Sequence, residues 1–157
     1  MQCCAVSALA PGVLGQTGME AAEVIAGAVR RARTDAILAV DALAARDCDR
    51  LAATVQLSDT GIAPGSGIGN DRCALTRESL GIPVIALGIP TVVDSSTLVY
   101  DALRRAGIEQ VRGRLRDILE NGRRFYVSPK AADLIAESTS RLVSRAINRA
   151  LVGVAGA

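Results

Sequence analysis

The chain has 157 residues and a net charge of +2; half of its residues are hydrophobic, yet only 2% are aromatic. That length suits one domain with an aliphatic core, the near-balanced charge makes no case for a nucleic-acid partner, and no apolar run reaches the roughly 18 residues of a membrane span. The four cysteines show no Cys-x-x-Cys spacing and there is no histidine, which argues against a structural zinc site or a histidine-based triad and fits a reducing cytoplasm.

The opening stretch "MQCCAVSALAPGVLG" is apolar but has no basic residue ahead of it, so no secretory signal is expected. Thr17-Gly-Met-Glu20 has the pattern of a capping box, with Thr17 at the N-cap and Glu20 at N3. Ala21, Val24, Ile25, Ala28, Val29 and Ala32 come next at helical spacing and predict one apolar face up to about Arg33. "AILAV" (36–40) predicts a buried strand with Asp41 at its carboxyl end. Leu51–Ser58 and Ile82–Pro90 read as two further strands. Ser95 or Ser96 is placed to cap a helix closed by Gly107, and another helix fits Val111–Glu120, ending at Asn121-Gly122. Ser128-Pro129 supplies a serine N-cap with proline at N1, starting a last helix that buries Ile135, Leu142, Val143, Ala146 and Ile147. Helix and strand alternate, which predicts a layered helix–sheet–helix α/β domain with a mostly parallel sheet. No repeat or linker divides residues 1–157.

Between the second and third strands runs "SDTGIAPGSGIGND" (58–71). Gly65, Gly67 and Gly69 do not complete the dinucleotide fingerprint, because Asn70 stands where the third glycine belongs, and no lysine comes after it to hold a phosphate. Either it is a surface loop using glycine for positive φ, or it faces substrate at the strand ends, where α/β domains commonly place their sites. Asp59, beside Thr60-Gly61, reads as a turn residue. Asp41 and Asp94 each close an apolar run, "ILAVD" and "PTVVD". A carboxylate there has its pKa raised by the low-dielectric interior, and two such acids placed together share one proton. Spacing alone puts another reading first: each aspartate caps the helix or turn on its C-terminal side. Arg141, Arg145 and Arg149 recur every four residues as a basic stripe on the last helix, read as a solvated face before an oligomer contact or a dock for acidic proteins.

Four blocks in order, "PGVLGQTGMEAAEVI", "VDALAAR", "TVQLSDTGIAPGSGIGN" and "LGIPVIALGIPTVVD", with "FYVSPKAADLI" after them, resemble the germination protease family of spore-forming bacteria. The likeness runs from about Val6 to the last helix, with 106–124 shorter and divergent. It implies a cytoplasmic endopeptidase of the spore core that degrades small acid-soluble spore proteins during germination. The family is an aspartic-type peptidase made as a zymogen, a homotetramer, and similar in fold to the hydrogenase maturation proteases (the phosphorylase/hydrolase-like architecture). No cofactor, metal, membrane or direct nucleic-acid contact is implied. One of its two catalytic aspartates lies in the "DALAAR" block, which is Asp41 here, and Asp94 is left as structural or site-lining. Asp59, Thr60, Gly61, Gly65, Ser66, Gly67, Gly69 and Asn70 would then border a peptide cleft, with glycine N–H groups available to a developing oxyanion.

The family's other catalytic aspartate lies upstream of the "PGV" block, after an opening strand, and no residue here matches it. The resemblance therefore implies a domain incomplete at its N-terminus, lacking its first strand and holding one acid of a pair, so that this chain alone is expected to be inactive. Loss of an interior strand also leaves a hydrophobic edge. Ala63 replaces a histidine of the family's "DTGIHPGSG", removing a proton relay or metal ligand. The alternative is a homologue without catalysis that keeps the scaffold as a binding or assembly module.

Overall fold

A computed structural model describes residues 5–12, 14–64 and 73–151. The fold is organised around one strand, β3 (Val84–Asp94). Its run of Val, Ile, Ala and Leu has the content of a strand flanked on both edges, and Val84 and Val93 are each only 1% exposed. On one edge β3 pairs in parallel with β1 (Ile37–Ala45), from Ile37 opposite Val84 to Ala45 opposite Val93. On the other edge it pairs antiparallel with β2 (Gln56–Ser58) and, at its far end, with β4 (Tyr126–Val127). The sheet is therefore mixed, which corrects the expectation of a mostly parallel one. The cause lies in the connections. After the long β1-to-β3 crossover, which leaves those two strands parallel, β2 and β4 are short strands that run opposite to β3 along its other edge.

The helices are α1 (Leu14–Thr17), α2 (Ala21–Ala32), α3 (Arg77–Leu80), α4 (Ser95–Arg105), α5 (Gly113–Asn121) and α6 (Ala132–Leu151). The capping box expected at Thr17 is not formed. Thr17 exchanges hydrogen bonds with the backbone of Met19, and the N-cap of α2 is Glu20, with no side-chain cap bond. The capping box that does form belongs to α3, where Thr76 and Ser79 bond each other's backbone N–H. Residues 51–55 do not join β2. A 3-10 turn at Cys48–Arg50 is capped by Asp47, and the chain then turns through Ala52 at φ 56°, whose N–H bonds the carbonyl of Pro90.

β3 continues four residues beyond Pro90 because the ladder to β1 shifts register at that point, between Leu43 and Ala44. Proline has no N–H to donate, and an irregularity is where a paired strand tolerates it. Helix α6 begins at Ala132, later than Ser128-Pro129 predicted, since Ala132 N–H first closes a turn on the Pro129 carbonyl. On α6, Val143 is buried and Ile135 and Ile147 are half-buried, but Leu142 is 62% exposed and Ala146 is exposed, against expectation.

One face of the sheet, carrying Val84 and Ala86, is closed. On the opposite face Val40, Leu57 and Ile85 are 49%, 71% and 44% exposed. Among the described residues the second helical layer expected there does not cover them.

Candidate active site

Asp41 is half-buried in the middle of β1, and its Oδ1 accepts a hydrogen bond from the Ala42 N–H at 2.9 Å. It does not end a strand, as the abrupt stop of the apolar run predicted. Ala42, Leu43 and Ala44 keep pairing with β3, so strand length depends on the partner and not on the local hydropathy. Asp41 stands level with Gly88 of β3, and Gly88 stands level with Gln56 of β2. Side chains opposite one another share a face, which puts Asp41 and Gln56 on either side of a bare glycine, about 10 Å apart across two strand spacings. A Cβ on Gly88 would overlap the Leu43 side chain, so the glycine makes room for Leu43 beside Asp41.

Along the outer side of β1 runs a groove of about 550 Å³ that ends at Asp41. Ile25 and Val29 of α2, Leu38 of β1 and the N-terminal segment at Leu9 and Pro11 form its walls. Ile62, Pro64 and Leu75 close it on the side of the glycine loop. Among the described residues that line it, Asp41 is the one ionisable residue.

The neck of that loop is stapled. Ile62 and Leu75 exchange both backbone hydrogen bonds, at 2.9 and 2.7 Å. Gly61, at φ +83°, packs so close to the Leu75 carbonyl that a Cβ would overlap it. Ser58 and Thr60 share a hydroxyl hydrogen bond of 2.7 Å, and Asp59 is exposed at the turn. Asp59, Thr60 and Gly61 thus set up the neck without lining the groove. Gly65, Ser66, Gly67, Gly69 and Asn70 lie outside the described residues.

Asp94 is not brought to Asp41. It lies six residues beyond Gly88 on β3, roughly 20 Å along the strand, too far for the two acids to share a proton. Ser95 and Ser96, the other candidates for the cap, are the first residues of α4, and Asp94 caps the helix instead, the capping reading of this aspartate. Its Oδ1 accepts from the Ser96 N–H at 2.8 Å and the Ser96 hydroxyl at 2.5 Å, and its Oδ2 accepts from Arg124 Nε at 2.7 Å. Burial opposes its ionisation, but the bonds from Ser96 and the Arg124 guanidinium outweigh burial and hold the carboxyl below its usual range. The pKa expected to rise at this position therefore falls.

A second buried acid has no signal in the sequence. Asp101 of α4 accepts from the Cys48 N–H at 2.8 Å and pairs with Arg104 at 3.1 Å, tying the 3-10 turn to the helix. Burial, then the Asp101 hydrogen bond and charge, push the Cys48 thiol up to about 11. It stays protonated at neutral pH and is a poor nucleophile. Glycine within a strand pattern is a recognised mark of close approach, so Gly88 in "ALGIP" is legible from sequence. The Asp94–Arg124 pair, 30 residues apart, has no local signal. Among the described residues no three His, Cys, Asp or Glu side chains gather as a metal site would need, and no helix is long and apolar enough to cross a membrane.

Residues 3–106, about two-thirds of the chain, match the family model described as germination protease. The chain is 41% identical over 168 aligned positions to a germination protease of Caldanaerobacter subterraneus subsp. tengcongensis, covering 93% of this chain and 52% of that protein. A germination protease of Clostridium acetobutylicum gives 41% over 169 positions, covering 93% and 51%. One from Halalkalibacterium halodurans gives 58% over 98 positions, covering 62% and 26%. The chain thus spans about half the length of the first two relatives.

Proposed function

The chain belongs to the germination protease family, and from that premise we propose that it carries the acid-bearing groove of an endopeptidase that degrades small acid-soluble spore proteins in the spore core during germination. The observation that supports this reading is the apolar groove ending at the single carboxylate of Asp41. A groove with these dimensions and walls suits an extended peptide with aliphatic side chains, and a half-buried carboxylate at its end is placed to act on the peptide carbonyl.

In the proposed chemistry Asp41 is one of two aspartates. The ionised member takes a proton from water as the water attacks the carbonyl, and the protonated member hydrogen-bonds the carbonyl oxygen; the departing amine is then protonated from the pair. The Ala42 N–H donates to Asp41 Oδ1 and orients the carboxylate. The second carboxylate is proposed to come from outside the described residues. The loop above Ile62 and Leu75 would hold the substrate backbone, with glycine N–H groups facing the developing oxyanion. Zymogen processing and a homotetramer are part of the same proposal, and no cofactor is invoked.

A second reading is favoured by Asp41 being the only ionisable residue among the described residues that line the groove: a peptide-binding scaffold without catalysis. Asp41→Asn separates the two. Mass spectrometry of a small acid-soluble spore protein incubated with the full-length protein is expected to show discrete cleavages, reduced about 10²–10⁴-fold in the variant with the circular dichroism spectrum unchanged. Cleavage retained by the variant removes Asp41 from the mechanism. Peptide binding without cleavage by the wild type selects the scaffold.

A further inference from the structure

We infer that α5 is a peripheral docking helix that lies along an anionic lipid surface. The helix stands beyond residue 106, where the match to the family model ends. Nothing in this reading depends on Asp41 or on proteolysis, so it fails separately from the proposed function. Leu119 is half-buried, and every other residue of α5 is exposed. Its side chains are nonetheless sorted. At 3.6 residues per turn Leu115, Ile118 and Leu119 share one side of the helix, and Leu115 and Ile118 stay 44% and 57% open to solvent. Isolated exposed apolar residues are ordinary. Here they are framed by charge in a definite order: Arg114 and Arg116 stand about 100° to either side of the apolar side, and Asp117 and Glu120 about 150° from it, on the back.

That order names the occupant. From Arg104 to Arg124 the chain carries seven arginines against three acids, Glu109, Asp117 and Glu120. Arg104, Arg105 and Arg124 are held by aspartates of other elements. Arg116 pairs with Glu120 at 2.9 Å and keeps 60% of its side chain in solvent. Arg112, Arg114 and Arg123 have no carboxylate partner among the described residues: Arg112 reaches the neutral amide of Gln110, and Arg123 lies over the Phe125 ring at 5.0 Å. A flat anionic surface meets both flanks of α5 at once. The arginine stems lie along the apolar side while their guanidinium groups reach phosphates, Leu115 and Ile118 enter the acyl boundary, and Asp117 and Glu120 face water. An acidic protein strip along one flank would leave the other unmatched. A nucleic acid would leave Leu115 and Ile118 unused, since bases stack on aromatic and guanidinium planes.

α5 has nine residues, about 13 Å of helix. So short a helix lies on a bilayer and does not cross it, and its hold is weak, reversible and sensitive to salt.

Flotation of the full chain with vesicles tests the inference. Binding is expected to vesicles of phosphatidylglycerol and phosphatidylcholine in equal parts, to weaken as salt is added, and to be absent from pure phosphatidylcholine. Arg112→Gln and Arg114→Gln are each expected to lower the partition coefficient about fivefold, and Ile118→Asn about tenfold. Asp117→Asn, on the far side, is expected to change it by about twofold at most. All four positions are exposed, and unchanged circular dichroism keeps a folding defect apart from a binding defect. The chain has no tryptophan, so a single introduced one reports orientation: emission from Leu115→Trp is expected to shift to the blue with the anionic vesicles, and emission from Asp117→Trp is not. Equal binding to both vesicle types overturns the proposal, as do arginine variants that bind like wild type, or a blue shift shown by both tryptophans or by neither. A chain that ignores the vesicles overturns it as well, and retention of that chain by single-stranded DNA or by polyglutamate would reassign α5 to that partner.

Discussion

Replacing Asp94 by alanine and by asparagine separates its two structural duties. The residue is 5% exposed and caps α4 through Ser96, while its second oxygen holds Arg124, which keeps 58% of its side-chain surface in solvent. Asparagine is as good an N-cap as aspartate, so Asp94→Asn keeps both Ser96 bonds and loses the charge toward Arg124. Screening at the open guanidinium limits that loss to about 1 kcal/mol. Asp94→Ala also removes the cap, adding about 1–2 kcal/mol, for a total of about 2–3 kcal/mol. Urea unfolding monitored at 222 nm reads both values.

The pH dependence fixes the cause. The folded carboxyl titrates below its ordinary value, so the folded state binds fewer protons and stability rises with pH through this window. The contribution is complete above the unfolded value, near pH 4, and is lost as pH falls through the depressed folded one. Wild type and Asp94→Asn are therefore expected to converge in stability below about pH 4. Two variants that destabilise equally at pH 7, or a wild-type advantage over asparagine that persists unchanged into strong acid, would refute the assignment.

Gly88→Ala is expected to cost about 1–3 kcal/mol, because its Cβ lands on the buried side of Leu43. Gly88→Ala with Leu43→Ala should recover part of that cost, and a purely additive double variant would show that the two residues do not meet. Cys48, with its thiol pushed up to about 11, should react with a thiol reagent at pH 7 more slowly than exposed Cys73. Peptide mapping after timed labelling distinguishes them, and Asp101→Asn should speed Cys48.

Composition and periodicity were enough for the α/β class and for most element positions, since these depend on local pattern. The ends of α4 and α5 lie within a few residues of where Gly107 and Asn121-Gly122 placed them. Features decided across the sheet were not legible. β1 runs past Asp41 because β3 is there to pair with it, and the turn ahead of β2 passes through Ala52, a residue type that does not announce positive φ. The cap at Asp94 is among the readings of its position, but its second partner, Arg124, comes from 30 residues away and has no local signal. At the groove, the resemblance singled out Asp41, whereas residue pattern alone put a capping role ahead of a catalytic one. The walls of the groove come from α2, β1 and the loop neck together, a convergence no single stretch encodes.

The central position of β3 also sets the order in which the chain can assemble. Ile37 waits for Val84, 47 residues later, and Gln56 waits for Gly88, 32 residues later, while Val127 comes 34 residues after its partner Val93. Every ladder therefore has β3 as one side, and none can close until it has been synthesised. Contacts this distant in sequence fold slowly. During translation the apolar segments of β1 and β2 emerge first with no strand to receive them, the condition in which nascent chains aggregate or engage chaperones. A ribosome paused before β3 would hold a chain with no sheet at all, and one released just after Asp94 would have the β1–β3–β2 sheet within reach, lacking only the two-residue seam of β4.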